Sequence, residues 1–205
     1  MHVLVLGGGY AGVTLVRTLE ATLPPDVTLT LVDERETHLV QHLIHRAIRE
    51  PDLDEQLAIP FDRVCSRTDH HQARVTGTER NHTDVVGEGP GARLDGLCVA
   101  AHAPPVKRPD HVAQIRQGFQ QVREMGGRAV VGGAGLSGVQ TAGELAELAA
   151  EADTEPEVVL LEQADTVAPG FDRSFREALR ETLDDRGVDV RTGQSVERAT
   201  ADEVV

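Results

Sequence analysis

The chain has 205 residues, of which 34 are acidic and 20 are basic, giving a formal net charge of −14 at pH 7. This length accommodates one large domain or two small ones, and the acidic excess argues against a nucleic-acid partner and against electrostatic attachment to an anionic membrane. Only 2% of the residues are aromatic, so the core must be built from aliphatic side chains, which suits buried parallel strands.

The first half of the chain predicts a strand, a glycine turn, a helix, a second strand and an acid, in that order. An apolar strand at residues 3–6 leads into the turn Gly-Gly-Gly-Tyr-Ala-Gly at residues 7–12. An apolar pattern with helical spacing follows until a proline pair interrupts it. Residues 27–32 then predict the second strand, which ends at Asp33.

Three histidines stand close together after the first acid. Residues 38–49 predict a helix, which would place His38, His42 and His45 on one face. Such a face could bind a metal ion, but no cysteine or acidic cluster completes the ligand set. A metal site is therefore the weaker interpretation of this segment.

The stretch before the second half is less regular. Residues 60–101 carry short strand-like runs, of which 97–101 is the clearest, and residues 101–109 are the expected linker. The pair His70 and His71 is expected in an exposed loop. No low-complexity segment interrupts the chain.

The second half repeats the order of the first. A helix predicted over residues 109–125 precedes a strand at 129–131 and the turn Gly-Ala-Gly-Leu-Ser-Gly at 133–138. A helical pattern follows, and the next strand, at 158–161, ends at Glu162. The same five-part order thus returns 126 residues later.

A helix and a strand are predicted beyond the second acid. The charged stretch 173–186 is interpreted as the solvated face of an amphipathic helix that ends at Gly187, and a strand begins at Val188. The apolar positions at helical spacing are Phe175, Ala178, Leu179 and Leu183.

Both glycine turns have the G-x-G-x-x-G spacing of a dinucleotide-binding loop. The first glycine permits a tight turn, the second lets the backbone approach a diphosphate, and the third lets the helix pack close to the strand. The anion then lies at the helix N-terminus, which carries unpaired N–H groups. One such motif is compatible with a purely structural turn, whereas two copies between a strand and a helix favour nucleotide binding. These roles fall to Gly7, Gly9 and Gly12 and to Gly133, Gly135 and Gly138.

An acid follows each turn at the spacing expected for binding a ribose. Asp33 lies 21 residues beyond Gly12, and Glu162 lies 24 residues beyond Gly138. A carboxylate at this position accepts hydrogen bonds from ribose hydroxyls and repels a 2′-phosphate, so the second site should prefer NAD over NADP. The alternative is that Glu162 merely ends a solvated strand.

The chain resembles flavoproteins with two dinucleotide-binding domains, the pyridine nucleotide-disulfide oxidoreductase superfamily, and most of all the type II NADH dehydrogenases. This resemblance implies an α/β fold with two Rossmann-like units on parallel sheets, an FAD-binding-like domain at residues 1–107 and an NAD-binding-like domain at 108–205. With gaps, it extends over most of residues 1–198. It is carried by residues 5–13, 37–41, 130–147 and 167–172.

The resemblance implies FAD in the first unit and NADH in the second. Hydride would pass from nicotinamide C4 to flavin N5, and the flavin would reduce a quinone. Because the flavin carries the redox chemistry, no catalytic side chain and no metal are expected. The expected FAD contacts are Gly7, Gly9, Tyr10, Ala11, Gly12, Asp33 and His38. The expected NADH contacts are Gly133, Gly135, Leu136, Ser137, Gly138, Gln140 and Glu162.

Three departures from the family pattern put the FAD half in doubt. The family commonly has an Ala-Thr-Gly turn where residues 100–103 read Ala-Ala-His-Ala, with the bulky His102, and Gln140 replaces a family glutamate. The chain also stops at Val205, before a family Gly-Asp motif and a C-terminal region that meets quinone and membrane. The FAD half is thus expected to be incomplete, as in a fragment, a truncated product or a partner-dependent subunit.

Other functions stay open beside the leading one. They are a non-catalytic nucleotide-binding remnant, a ferredoxin- or rubredoxin-type reductase and, less favoured, a sulfide:quinone oxidoreductase. A homodimer is also left open. The isolated Cys65 and Cys98 form no close redox pair and are expected to be inert.

Composition adds expectations about the environment. Lys107 is the only lysine, and an acidic, lysine-poor surface is typical of halophilic proteins, although a GC-rich genome also favours arginine. The chain shows neither a transmembrane run nor a signal peptide. A cytoplasmic location is expected, with contact to the inner face of the membrane only through the missing C-terminal region.

Overall fold

The computed structural model describes residues 2–75 and 106–196, which form two compact units. The first unit comprises residues 2–40 and 55–75, and the second comprises 41–54 and 106–196. Each unit contains a three-stranded parallel sheet with helices, which confirms the α/β fold class with two parallel-sheet units.

The strands and helices have the predicted order around both glycine turns and include further short elements that the sequence pattern does not predict. In chain order they are β1 (His2–Leu6), α1 (Tyr10–Thr22), β2 (Thr28–Asp33), β3 (Thr37–Leu39), a 3₁₀ helix (Gln41–Ile48), α2 (Leu53–Gln56), β4 (Ala58–Pro60), α3 (Phe61–Val64), β5 (Asp69–Gln72), α4 (Pro109–Met125), β6 (Arg128–Gly132), α5 (Leu136–Ala150), β7 (Glu157–Glu162), α6 (Arg173–Asp185) and β8 (Val188–Thr192). None of the helices in the two described ranges is long and apolar enough to cross a membrane.

The two parallel sheets have matching topologies. The first has the strand order β1-β2-β5, and the second has the order β6-β7-β8. In each sheet the strand before the glycine turn pairs with the strand that ends in the acid, with Leu6 opposite Val32 and Gly132 opposite Leu161. This register places each glycine turn beside its acid.

The core of the first unit is mainly aliphatic, as the composition predicts, and it also contains Phe61. Helix α1 buries Val13 and Val16 against β1 and β2, where Val5 and Leu31 complete the layer. Cys65 lies in this cluster, and burial raises the pKa of its thiol, which disfavours the reactive thiolate form. Cys98, His102 and the strand predicted at 97–101 lie outside the described residues.

The helix predicted over residues 38–49 is wrong at its start. His38 lies in β3, which pairs antiparallel with β4, and the following helix is 3₁₀ and begins at Gln41. His38, His42 and His45 therefore do not share one helix face. Strand pairing, a long-range interaction, outweighs the local helical pattern here.

The loop predicted for His70 and His71 is also wrong. Both residues lie in β5, where His70 pairs with Leu31 of β2. The ring of His70 packs against Phe61 at a centroid distance of 4.7 Å. The short polar run carries no strand pattern of its own, so pairing with β2 determines its conformation.

Residues 41–54 group with the second unit, although they precede β4 in the chain. The 3₁₀ helix packs against α4 and α5 and buries Ile44, Ala47 and Ile48. Arg49 donates to Glu144 of α5 at 2.9 Å. The domain boundary at residues 107/108 stays a prediction.

The carboxylate of Glu20, which is half-buried, connects the last turns of α1 to the segment that precedes β5. Glu20 accepts hydrogen bonds from the backbone N–H and hydroxyl of Ser66, the backbone N–H of Arg67 and the hydroxyl of Thr68, at 2.7–3.1 Å. Partial burial by itself would raise the pKa of Glu20, but these donors outweigh it and lower the pKa to about 2.

Replacing Glu20 with Gln is expected to lower the free energy of unfolding by about 1–2 kcal/mol near neutral pH, because an amide cannot accept from all these donors. The folded pKa lies below the ordinary value of 4.5, so the stabilisation is complete above pH 4.5 and is lost as pH falls through 2. The difference between the wild type and Glu20→Gln in urea denaturation should therefore narrow below pH 4.5. Glu34→Gln, which changes an exposed carboxylate, is the control. A pH-independent difference would contradict the prediction.

Candidate functional site

The first glycine turn is held in one conformation by backbone constraints. Gly7 has a φ of 93° and donates its N–H to Val32 O of β2 at 2.7 Å. A Cβ at Gly12 would lie 1.7 Å from Gly7 O. Both positions therefore require glycine, and the close contact brings the first turn of α1 directly onto the end of β1.

The second glycine of this turn faces open space. Gly9 is the N-cap of α1, has extended backbone and has no side chain to cap the helix. A Cβ at Gly9 would meet nothing within 4 Å. The predicted contacts Tyr10 and Ala11 begin the helix beside it and are exposed. The N-terminal end of α1 thus offers room for an anion at its backbone N–H groups.

The second glycine turn reproduces this geometry. Gly133 has a φ of 91° and donates its N–H to Leu161 O at 2.7 Å. A Cβ at Gly138 would lie 1.8 Å from Gly133 O, whereas a Cβ at Gly135 would meet nothing within 4 Å. Two separate segments of the chain thus fold into the same turn.

The predicted contacts at the start of α5 lie next to this second turn. Leu136 and Ser137 form the first turn of the helix and are exposed, and Gln140 lies one turn further and is half-buried. Thr141 donates its hydroxyl to Ser137 O at 2.8 Å. The structure therefore gathers the expected contacts of the second unit around one helix end.

The acid at the end of β2 binds the first glycine turn. Asp33 is 8% exposed, and its Oδ2 accepts the backbone N–H of Gly8 at 2.6 Å. Its Oδ1 accepts the backbone N–H of Arg35 at 2.9 Å and faces the Arg35 guanidinium at 3.3 Å. A carboxylate oxygen has two lone pairs, so Oδ2, which accepts from Gly8 alone, keeps capacity for a further donor such as a ribose hydroxyl.

Glu162 has the same arrangement in the second unit. It is 7% exposed, its Oε2 accepts the backbone N–H of Ala134 at 2.6 Å, and its Oε1 accepts that of Ala164 at 2.9 Å. The alternative of a solvated strand end is therefore wrong. The longer Glu side chain reaches its turn just as the shorter Asp33 does in the first unit.

His38 contacts the carbonyl group of Gly8 in the first turn. Its Nδ1 lies 3.0 Å from Gly8 O, and since a carbonyl only accepts, Nδ1 carries the proton. The ring is 6% exposed and lies edge-on to Tyr10 at a centroid distance of 4.8 Å. His38 thus contacts the turn itself.

The residue of the second unit that corresponds to His38 is Ala168, and sequence reasoning missed it. The backbone N–H of Ala168 donates to Ala134 O at 2.8 Å, and Ala168 has a φ of 44°. Its side chain carries no chemistry, so no motif marks it. Gly8 and Ala134 were also missed, although their place between the first two glycines could have identified them.

The arrangement fits two dinucleotides, one in each unit. Each unit provides an anion site at a helix N-terminus, an open approach at the second glycine and a buried carboxylate beside the turn. The described residues contain no group of three or more histidine, cysteine or acidic side chains placed to hold a metal ion. The fold and these turns define a protein with two Rossmann-type units.

The chain belongs to the pyridine nucleotide-disulphide oxidoreductase family, whose model matches residues 1–205. Curated relatives include the type II NADH:quinone oxidoreductase Ndh of Mycobacterium tuberculosis, which is 24% identical over 95% of this chain and 50% of the relative. The type II NADH:quinone oxidoreductase of Staphylococcus epidermidis is 25% identical over 92% of this chain and 56% of the relative. The predicted resemblance is confirmed, and the chain spans about half the length of these relatives.

Solved structures support the same fold. The sulfide:quinone oxidoreductase of Aquifex aeolicus matches with a TM-score of 0.79 and 14% identity, over 99% of this chain and 53% of that structure. NDH2 of Plasmodium falciparum, solved in complex with NADH, matches with a TM-score of 0.76 and 15% identity, over 97% of this chain and 49% of that structure.

Proposed function

We propose that the chain forms the nucleotide-binding part of an FAD-dependent oxidoreductase that takes hydride from NADH. The duplicated glycine turn with its buried acid carries this proposal, because the same 2.6 Å contact from carboxylate to turn recurs in both units. One such turn would serve a single nucleotide, whereas two serve a donor and an acceptor. FAD is assigned to the first unit and NADH to the second.

The residues of this chain bind and orient the two nucleotides. At the first site, the N–H groups at the start of α1 bind the diphosphate, and Asp33 accepts from the adenosine ribose. At the second site, the start of α5 and Glu162 take the same roles. The flavin, when bound, supplies the redox chemistry, so the protein needs no catalytic side chain of its own.

Quinone is the proposed electron acceptor of the whole protein. This assignment is supported by the names of the curated relatives, which are type II NADH:quinone oxidoreductases. Contact with the membrane surface, assembly as a homodimer and a cytoplasmic, salt-adapted environment are proposals of the same kind. These proposals concern a protein that spans the full length of the curated relatives.

The test is to purify the chain in high salt, titrate it with FAD and follow the flavin absorbance. The wild type is expected to bind FAD, and NADH should bleach the bound flavin. Asp33→Asn should weaken FAD binding about tenfold or more, because the amide cannot replace a carboxylate that accepts from two N–H groups. Glu34→Gln, which changes the exposed neighbouring carboxylate, should bind FAD like the wild type.

A purified chain that is colourless and does not bind added FAD would contradict the assignment of FAD to the first unit. If the chain binds NADH but no flavin, it is a nucleotide-binding module without catalysis. If the bound flavin is reduced but passes electrons to a redox protein and not to a quinone analogue, the ferredoxin-type reductase is supported. Each result leads to a different function.

A further inference from the structure

Each glycine turn contains one residue whose backbone is fixed at both polar groups. In the first unit this residue is Gly8, and in the second it is Ala134. Their N–H groups donate to the buried acids Asp33 and Glu162, both at 2.6 Å. The orientation of the peptide that precedes each residue is therefore set by a charge-assisted hydrogen bond.

The carbonyl groups of the same two residues are also fixed, but by different means. Gly8 O accepts from the Nδ1 of His38 at 3.0 Å, and Ala134 O accepts from the backbone N–H of Ala168 at 2.8 Å. The donors come from the segment after the acid in both units. Only the first unit therefore depends on a side chain for this bond.

The carbonyl bond determines where the next N–H points. In a trans peptide the C=O and the following N–H point in opposite directions, and the described residues contain no cis peptide. A hydrogen bond from His38 to Gly8 O therefore directs the N–H of Gly9 away from His38. Gly9 is the residue that faces open space at the start of α1.

The space around Gly8 leaves this peptide little freedom. A Cβ at Gly8 would lie 2.1 Å from the ring of Phe61, so the turn is pressed against that ring. His38 is itself 6% exposed and packs edge-on against Tyr10. Packing within the first unit thus holds the donor in place.

We propose that His38 is a positioning residue that acts through Gly8 O to hold the Gly8–Gly9 peptide in the orientation that binds a diphosphate. This inference rests on the proposed function of the first unit. It predicts that FAD affinity depends on a hydrogen-bond donor at the position of Nδ1, and that the rest of the imidazole ring can be replaced. It also predicts that the second unit is insensitive to the residue at position 38.

The experiment compares His38→Asn with His38→Leu. The amide nitrogen of asparagine lies where Nδ1 lies in histidine, whereas leucine has a similar branched shape and no donor. FAD affinity is measured by calorimetric titration, and NADH affinity is measured on the same variants. Amide hydrogen exchange at Gly9 and Tyr10 is recorded in the nucleotide-free chain, and thermal unfolding checks that both variants fold.

His38→Leu is expected to weaken FAD binding about tenfold, the effect of losing one buried hydrogen bond, and to speed exchange at Gly9. His38→Asn should keep FAD affinity within about threefold, and neither variant should change NADH affinity. If asparagine binds FAD as weakly as leucine, or leucine as tightly as the wild type, the inference is overturned. A wild type that binds no FAD would overturn the proposed function as well, so the two failures are distinguishable.

Discussion

Replacing Gly138 with alanine is expected to abolish NADH binding and to lower the free energy of unfolding by about 3 kcal/mol. The new Cβ would lie 1.8 Å from Gly133 O and 3.0 Å from Gly133 C. These are backbone atoms in a turn that Gly133 already holds at a φ of 91°. Relief of the clash must move α5 away from β6, which displaces the N–H groups proposed to bind the diphosphate.

Gly143→Ala is the matched control in the same helix. A Cβ at Gly143 would meet nothing within 4 Å, so the substitution should leave NADH binding unchanged. Alanine favours a helix over glycine by about 0.5–1 kcal/mol, so this variant should become more stable by that amount. Urea denaturation and NADH titration of both variants give the comparison. A Gly138→Ala chain that binds NADH normally would disprove the packing argument.

The second large effect is expected from Glu162→Gln. The carboxylate accepts one backbone N–H on each oxygen, and an amide must turn its NH₂ group towards one of these donors. Because the site is 7% exposed, the mismatch should cost about 2–3 kcal/mol of stability and weaken NADH binding. Loss of the negative charge should also reduce the preference for NADH over NADPH.

Glu157→Gln is the control for Glu162→Gln. It tests whether the loss of stability and of NADH affinity depends on the burial of the carboxylate or only on its location in β7. Glu157 lies at the other end of the strand, is 62% exposed and pairs with Arg128 at 2.6 Å. An exposed ion pair contributes less than about 1 kcal/mol, so this variant should resemble the wild type in stability and in both nucleotide affinities. Equal losses in the two variants would contradict the role assigned to the buried carboxylate.

The glycine turns show how much the sequence predicts. The spacing of Gly7, Gly9 and Gly12 correctly indicates the strand, the tight turn and the helix, because only glycine tolerates the contact at Gly12. The same reasoning succeeds for the second turn, and the helical spacing of apolar residues correctly predicts helix α4. The contacts proposed for these residues with FAD and NADH stay predictions.

Errors arise where a long-range contact outweighs the local pattern. The local sequence pattern predicts a helix at His38. In the structure β3 pairs with β4, and this pairing places the ring of His38 against the first glycine turn. His70 lies in a run with no strand pattern, yet β2 provides its partner. The residue types at these positions do not indicate which strands will pair with them.

The sequence by itself determined the two glycine turns and the acids that follow the next strands, since glycine spacing and backbone sterics act within a few residues. Only the tertiary structure decided what fixes each turn. The donor to Gly8 is a side chain and the donor to Ala134 is the backbone of Ala168. A backbone N–H belongs to every residue except proline, so its partner depends on packing and cannot be read from residue type.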